Sequence, residues 1–124
     1  MFLVKSVLLA FLVVGLLAAC GRERTVSFKR DVMPILKENC LQCHSGSGQG
    51  ANQSGLRMDN YEDLMKGTKH GPVVVPGSSL NSVFNQVVEG RVDKSIAMPH
   101  GGQSLSEEDI KTLKTWVDQG AKNN

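Results

Sequence analysis

Apolar positions fall into two regimes along this chain. Near the start stands an almost continuous run, Val7–Ala19, interrupted only by Gly15. Beyond it, apolar residues recur at helical spacing. Val32, Ile35, Leu36 and Cys40 lie at i, i+3, i+4 and i+8, which predicts a first helix from near Asp31 to Cys40. Asp31 is its candidate N-cap, and Pro34 belongs in the first turn, where a missing N–H costs little. Leu80, Val83, Phe84, Val87 and Val88 repeat the pattern and predict a helix over Ser79–Glu89, ended by Gly90. Ile110, Leu113 and Val117 form the inner face of a last helix, with Trp116 at its edge. The box-like Ser106-Glu107-Glu108-Asp109 opens it and Gly120 closes it. A shorter helix is expected over Asp59–Lys66, with Tyr61, Leu64 and Met65 inward and Gly67 as its stop.

The intervening stretches read differently. Ser45–Gly55 is rich in Gly, Ser, Gln and Asn and is expected to be a loop. Gly71-Pro72-Val73-Val74-Val75-Pro76-Gly77 has three β-branched residues, but its flanking Pro and Gly favour an extended segment over a strand. Arg91–Leu105 is a loop carrying Met98-Pro99. No internal repeat is visible. The expected architecture is therefore all-α, about four helices, with the first and last packed on each other through their apolar stripes.

The N-terminal run is too short for a comfortable membrane span. A single Lys5 before it and small residues after it fit an export signal. It closes as Leu17-Ala18-Ala19-Cys20, which resembles the bacterial lipoprotein cleavage motif. On that reading residues 1–19 are removed and Cys20 becomes the lipidated first residue. Residues 20–27 then form a polar tether and residues 28–124 the folded domain. Acyl chains add about 0.8 kcal/mol per buried CH₂, so several on one residue anchor firmly. The competing reading is an uncleaved anchor with a bystander Cys. Either way the domain lies outside the cytoplasm, on the periplasmic side of a bacterial membrane.

With 124 residues there is room for one domain. Only 5% of the chain is aromatic, so a core of this size is marginal without a buried prosthetic group. A net charge of +2, with both signs mixed along the chain, gives none of the basic stripe that nucleic-acid binding requires.

Three cysteines are present. With Cys20 assigned to the lipid, Cys40 and Cys43 remain, in Cys40-Leu41-Gln42-Cys43-His44. C-x-x-C-H is the attachment pattern of c-type haem. Two thiols three residues apart on a helical turn share one side of the backbone and can form thioethers to the two vinyl groups. His44 follows directly and can bind the iron as proximal ligand, with its other nitrogen donating to a backbone carbonyl. The alternatives fit less well. A zinc site needs about four ligands and finds no second Cys pair. A thioredoxin-like pair needs a βαβ context. A structural disulfide leaves His44 without a role.

Haem in an electron carrier usually has a second axial ligand. Met98 is the candidate, in the loop Ala97-Met98-Pro99-His100-Gly101-Gly102. Its neutral sulfur would favour ferrous iron. Met33, Met58 and Met65 read instead as core fillers. His100 and His70 are the rival ligands. Arg57 and Arg91 are either partners for haem propionates or plain surface charges. Trp116 and Phe84 pack either on the porphyrin edge or within the core.

Taken together these residues resemble a bacterial monohaem cytochrome c family, the planctomycete-type cytochrome c domain. The matching positions begin with Phe28, Asp31-Val32, Pro34-Ile35-Leu36 and the Cys40–His44 motif. They continue through Gly55–Leu64, Gly71–Gly77 and Ser79-Leu80 to Met98-Pro99, Leu105-Ser106 and Trp116–Ala121. The resemblance covers nearly all of the mature chain. It implies an all-α cytochrome c fold, thioethers at Cys40 and Cys43, and axial ligation by His44 and Met98. The chain departs from the pattern at His100, where the family often has Pro, and in the Ser/Gly-rich stretch after His44.

Three functions compete. An electron carrier cycles one haem between Fe(III) and Fe(II), needs redox protein partners as donor and acceptor, and requires no small-molecule substrate. A haem-based peroxidase or gas-binding subunit needs a displaceable sixth ligand. A non-catalytic assembly subunit would use the haem as structural core. No convincing acid, base or nucleophile cluster stands beyond the haem motif, which favours the first.

Overall fold

Helix formation begins earlier than the apolar spacing predicts. The computed structural model describes residue 21 and residues 23–124. The signal segment 1–19 and Cys20 lie outside the described residues. A π-helical turn covers Phe28–Val32 and runs directly into α1 (Met33–Asn39). Ser27, not Asp31, is the N-cap. Its Oγ accepts from the Arg30 amide at 3.2 Å, while the Asp31 carboxylate reaches back to the Ser27 amide at 2.7 Å. This reciprocal pairing satisfies two otherwise unpartnered amides. It also turns Phe28 and Val32 into the core together, and both are buried.

Cys40 breaks the helix at φ −123°, and the chain resumes as α2 (Leu41–His44). The segment expected to be a loop contains α3 (Gln49–Ser54). Its composition disfavours helix, but local polar bonds compensate. Ser54 Oγ donates to the Gly50 carbonyl at 2.7 Å and Asn52 Nδ2 to the Ser47 carbonyl at 2.8 Å. Ala51 buries the inner face, and Gly55 ends the helix in a left-handed conformation at φ 78°. Helix α4 (Tyr61–Lys66) follows, capped by Asn60, whose Oδ1 accepts from the Asp63 amide at 2.9 Å.

Helix α5 is shorter than expected, Val83–Val88. Residues 79–81 form turns instead, held by Asp118, which takes the Ser79 amide, and by Ser82 Oγ, which is tied to Val75. Val75 N–H donates to Ser82 Oγ and Ser79 N–H to Asp118 Oδ1, both at 2.8 Å. Phe84 and Val88 are buried, but Leu80 and Val83 are 69% and 48% exposed, so the inner stripe is narrower than the sequence spacing implied. Helix α6 (Glu107–Asp118) matches its predicted start. Ser106 caps it and accepts from the Asp109 amide at 3.1 Å.

Trp116 does not sit at the edge of α6. It is fully buried, with ring centroids 5.4 Å from Phe28 and 6.4 Å from Tyr61. Around this aromatic centre Val32, Leu36, Leu64, Leu113 and Val117 are also fully buried. Each such side chain contributes about 1.5–3 kcal/mol. The π turn and α5 both pack on α6, so the first and last helical segments do meet. The described residues form an all-α domain. Their extended segment 72–76 joins no strand, and the nearest β pairing is a single bridge between Thr68 and Gly71.

The two ends of the domain are bonded to each other. Asn124 accepts from the Lys29 amide at 3.0 Å and the Ser27 hydroxyl at 2.8 Å, and its Oδ1 accepts from the Phe28 amide at 2.9 Å. Gln119 Oε1 takes the Val26 amide at 2.8 Å. No helix among the described residues is long and apolar enough to cross a membrane.

Candidate functional site

The turn Cys40–His44 is closed by its own backbone. Cys43 and His44 amides both donate to the Cys40 carbonyl, at 3.2 and 2.9 Å. That puts the two thiols and the imidazole on one short element. Both thiols are unbridged, Cys40 half-buried and Cys43 exposed. Burial, then the neighbouring Cys43, pushes the Cys40 thiol up to about 11. Among the described residues no three His, Cys, Asp or Glu side chains cluster as a metal site.

His44 is buried and held at several points. Its Nδ1 lies 3.0 Å from the Leu56 carbonyl. A carbonyl only accepts, so Nδ1 is the donor, and in the neutral imidazole that leaves the lone pair on Nε2. The His44 carbonyl takes the Met58 amide at 2.8 Å. The ring also rests on α3. A Cβ built on Gly50 would lie 2.8 Å from His44 Cε1 and 2.9 Å from Nε2, and one on Gly48 would meet the Cys43 carbonyl carbon at 2.8 Å. Sequence reasoning missed Leu56, Gly48 and Gly50. Their signal was two glycines a few residues beyond His44, in a stretch whose composition reads as loop.

Met98 is half-buried against the main core, as is Cys40. Its amide donates to the Val87 carbonyl at 2.9 Å, which ties the loop to α5. The exposed Val83 is one turn before Val87 on that helix, so uncovered apolar surface adjoins the anchor of Met98. His100 and His70 are both exposed, and the His70 amide donates to Thr68 Oγ1 at 3.0 Å. Neither arginine is uncommitted. Arg57 pairs with Asp59 at 3.0 Å. Arg91 pairs with Glu89 and donates to the carbonyls of Ser79 and Leu80 at 3.2 and 3.3 Å. Phe84, like Trp116, is a core residue.

This donor set fits a covalently attached haem. Two unbridged thiols share a turn with an imidazole whose Nε2 is available and whose ring has a bare glycine beside its ligating edge.

The comparisons with known proteins point the same way. Residues 40–102 match the model of the family described as Planctomycete cytochrome C. The matched span begins at Cys40 and takes in both the His44 motif and the Met98 loop. A relative is the hydrazine synthase subunit alpha of Kuenenia stuttgartiensis, 22% identical over 127 aligned positions. The alignment covers 82% of this chain and 16% of that protein, so the chain spans about a sixth of the relative's length. No solved structure matches. The family carries covalent haem, and the paired thiols it needs are present here at Cys40 and Cys43. This chain belongs to the planctomycete cytochrome c family.

Proposed function

We propose that the protein is a one-electron carrier, held by a lipid on Cys20 at the periplasmic side of a bacterial membrane after loss of residues 1–19. In this reading Cys40 and Cys43 hold one haem c as thioethers, and His44 and Met98 bind its iron. The haem, when bound, supplies a one-electron Fe(III)/Fe(II) couple. Everything else falls to the chain. The Leu56 carbonyl holds the Nδ1 proton of His44 and raises the basicity of Nε2. The Val87 carbonyl fixes the loop that presents the Met98 thioether. A neutral sulfur ligand suits an electron carrier by favouring the ferrous state. Redox proteins serve as donor and acceptor.

The observation that carries this reading is the His44–Leu56 hydrogen bond, since it leaves Nε2, on the turn bearing both thiols, as the ligating nitrogen. The test is the mass and spectrum of protein matured in a haem-competent host. A mass increased by one haem, with a low-spin spectrum in both redox states, is expected. High-spin ferric haem with fast ligand binding would favour the peroxidase or gas-binding alternative instead. A colourless bare polypeptide would remove the proposal. Mass analysis of the N-terminus tests the anchor: diacylglyceryl-Cys20 is expected, and an intact Met1 would refute it.

A further inference from the structure

We propose that Gly50 is a positioning residue for the proximal imidazole. The inference rests on the electron-carrier reading and names a part of the site that the C-x-x-C-H motif does not contain. Helix α3 meets the Cys40–His44 turn through two glycines. At Gly48 a Cβ would strike the Cys43 carbonyl group, and at Gly50 it would come within 2.8 and 2.9 Å of His44 Cε1 and Nε2 and 3.0 Å of the Cys43 carbonyl oxygen. Such separations are below ordinary van der Waals contact, so something must move. Of the three neighbours of Gly50, one is a backbone atom and the other two belong to a ring held by backbone. The His44 ring is fixed by Nδ1 on Leu56 and by its own carbonyl on Met58. Leu56 in turn lies two residues beyond the end of α3, so the helix that touches the ring also sets the position of its hydrogen-bond acceptor.

The contact falls on the Cε1–Nε2 edge, the edge that faces a bound iron. A methyl group at position 50 would turn the ring about its Cβ–Cγ bond or slide α3 away. Both responses misalign Nδ1 with the Leu56 carbonyl. A weaker bond there lowers imidazole basicity and stabilises the ferric state less. Gly50 therefore acts through His44, and no other residue is small enough to replace it.

The experiment compares the haem-loaded wild type with Gly50→Ala and with Gln53→Ala, an exposed residue on the same helix. The readouts are the midpoint potential, the proton shift and exchange of His44 Nδ1–H, and a proton–proton cross-relaxation peak between Gly50 Hα and His44 Hε1 in ferrous wild type. The inference expects that cross-peak. It also expects a higher potential and faster Nδ1–H exchange in Gly50→Ala, with Gln53→Ala unchanged. A Gly50→Ala protein with wild-type potential and an unmoved Nδ1–H overturns it. Should Gly50→Ala fail to mature, the wild type decides alone: the cross-peak supports the contact and its absence refutes it. A wild type without haem would sink the electron-carrier reading separately, and the same cross-peak would still be sought in that chain.

Discussion

The amide of Met98 donates to the carbonyl of Val87 across 2.9 Å. The bond joins the loop that carries the candidate sulfur ligand to the last turn of α5. Because it uses the backbone of Met98, substitution of the side chain leaves the loop attached. Met98→Ala is therefore expected to mature with haem, lose the weak near-red ferric band of Met ligation, and show a lower potential. His100→Ala should retain the band. Ferric absorption and potentiometry check both. A band that survives Met98→Ala and disappears in His100→Ala would reassign the sixth ligand.

Cys40 gives a pH signature of haem attachment. Burial raises its thiol from an ordinary 9.0 to about 11. In haem-free folded protein the thiol thus stays protonated where the unfolded chain has lost its proton. Between pH 9 and 11 the native state binds more protons, so stability falls as pH rises, by roughly 2–3 kcal/mol in all. Denaturant titration across that range should show the loss in the haem-free chain. Cys40→Ala and the haem-loaded protein, which has no thiol at position 40, should lack it.

Gly67 ends α4 at φ 82°, and a Cβ there would come within 2.6 Å of Pro72 Cα. Backbone cannot yield as a flexible side chain can. Gly67→Ala should cost about 1–3 kcal/mol from the left-handed conformation alone, and more from the clash. Chemical denaturation measures this, and a loss below about 0.5 kcal/mol would contradict the packing described.

Asp31 and Ser27 make a further testable pair. The Ser27 amide, aided by Arg24 and Arg30, holds the Asp31 carboxyl below the usual carboxylate range despite partial desolvation. Asp31→Ala is expected to cost about 1 kcal/mol, the scale of a lost cap. A depressed native pKa stabilises the fold above the unfolded value near 4, and the contribution disappears as pH falls through the native value. The gap between wild type and Asp31→Ala should therefore close in acid. A gap that is constant with pH would mean the carboxylate charge is irrelevant.

Much of this architecture could be read from residue order. The last helix carried its cap box and apolar stripe in the open, and the Cys40–His44 motif announced its own chemistry. What escaped was decided by tertiary contact. Helix α3 has the composition of a loop and exists because Ser54 and Asn52 bond back along it while Ala51 is buried. The first turn of the predicted Ser79 helix was lost to bonds with Asp118 and Val75, residues 39 positions downstream of Ser79 and 7 upstream of Ser82. The acceptor for His44 could not be named because Leu56 reaches it only after α3 has folded over the turn.

The paired ends at Val26–Lys29 and Gln119–Asn124 have an architectural implication. A unit whose chain leaves beside the point where it entered can be spliced into a surface loop of a larger host, with only a short gap to bridge and no rearrangement of its interior. The same geometry seats any partner fused after Asn124 next to the incoming polypeptide, at the corner where Phe28 enters the core.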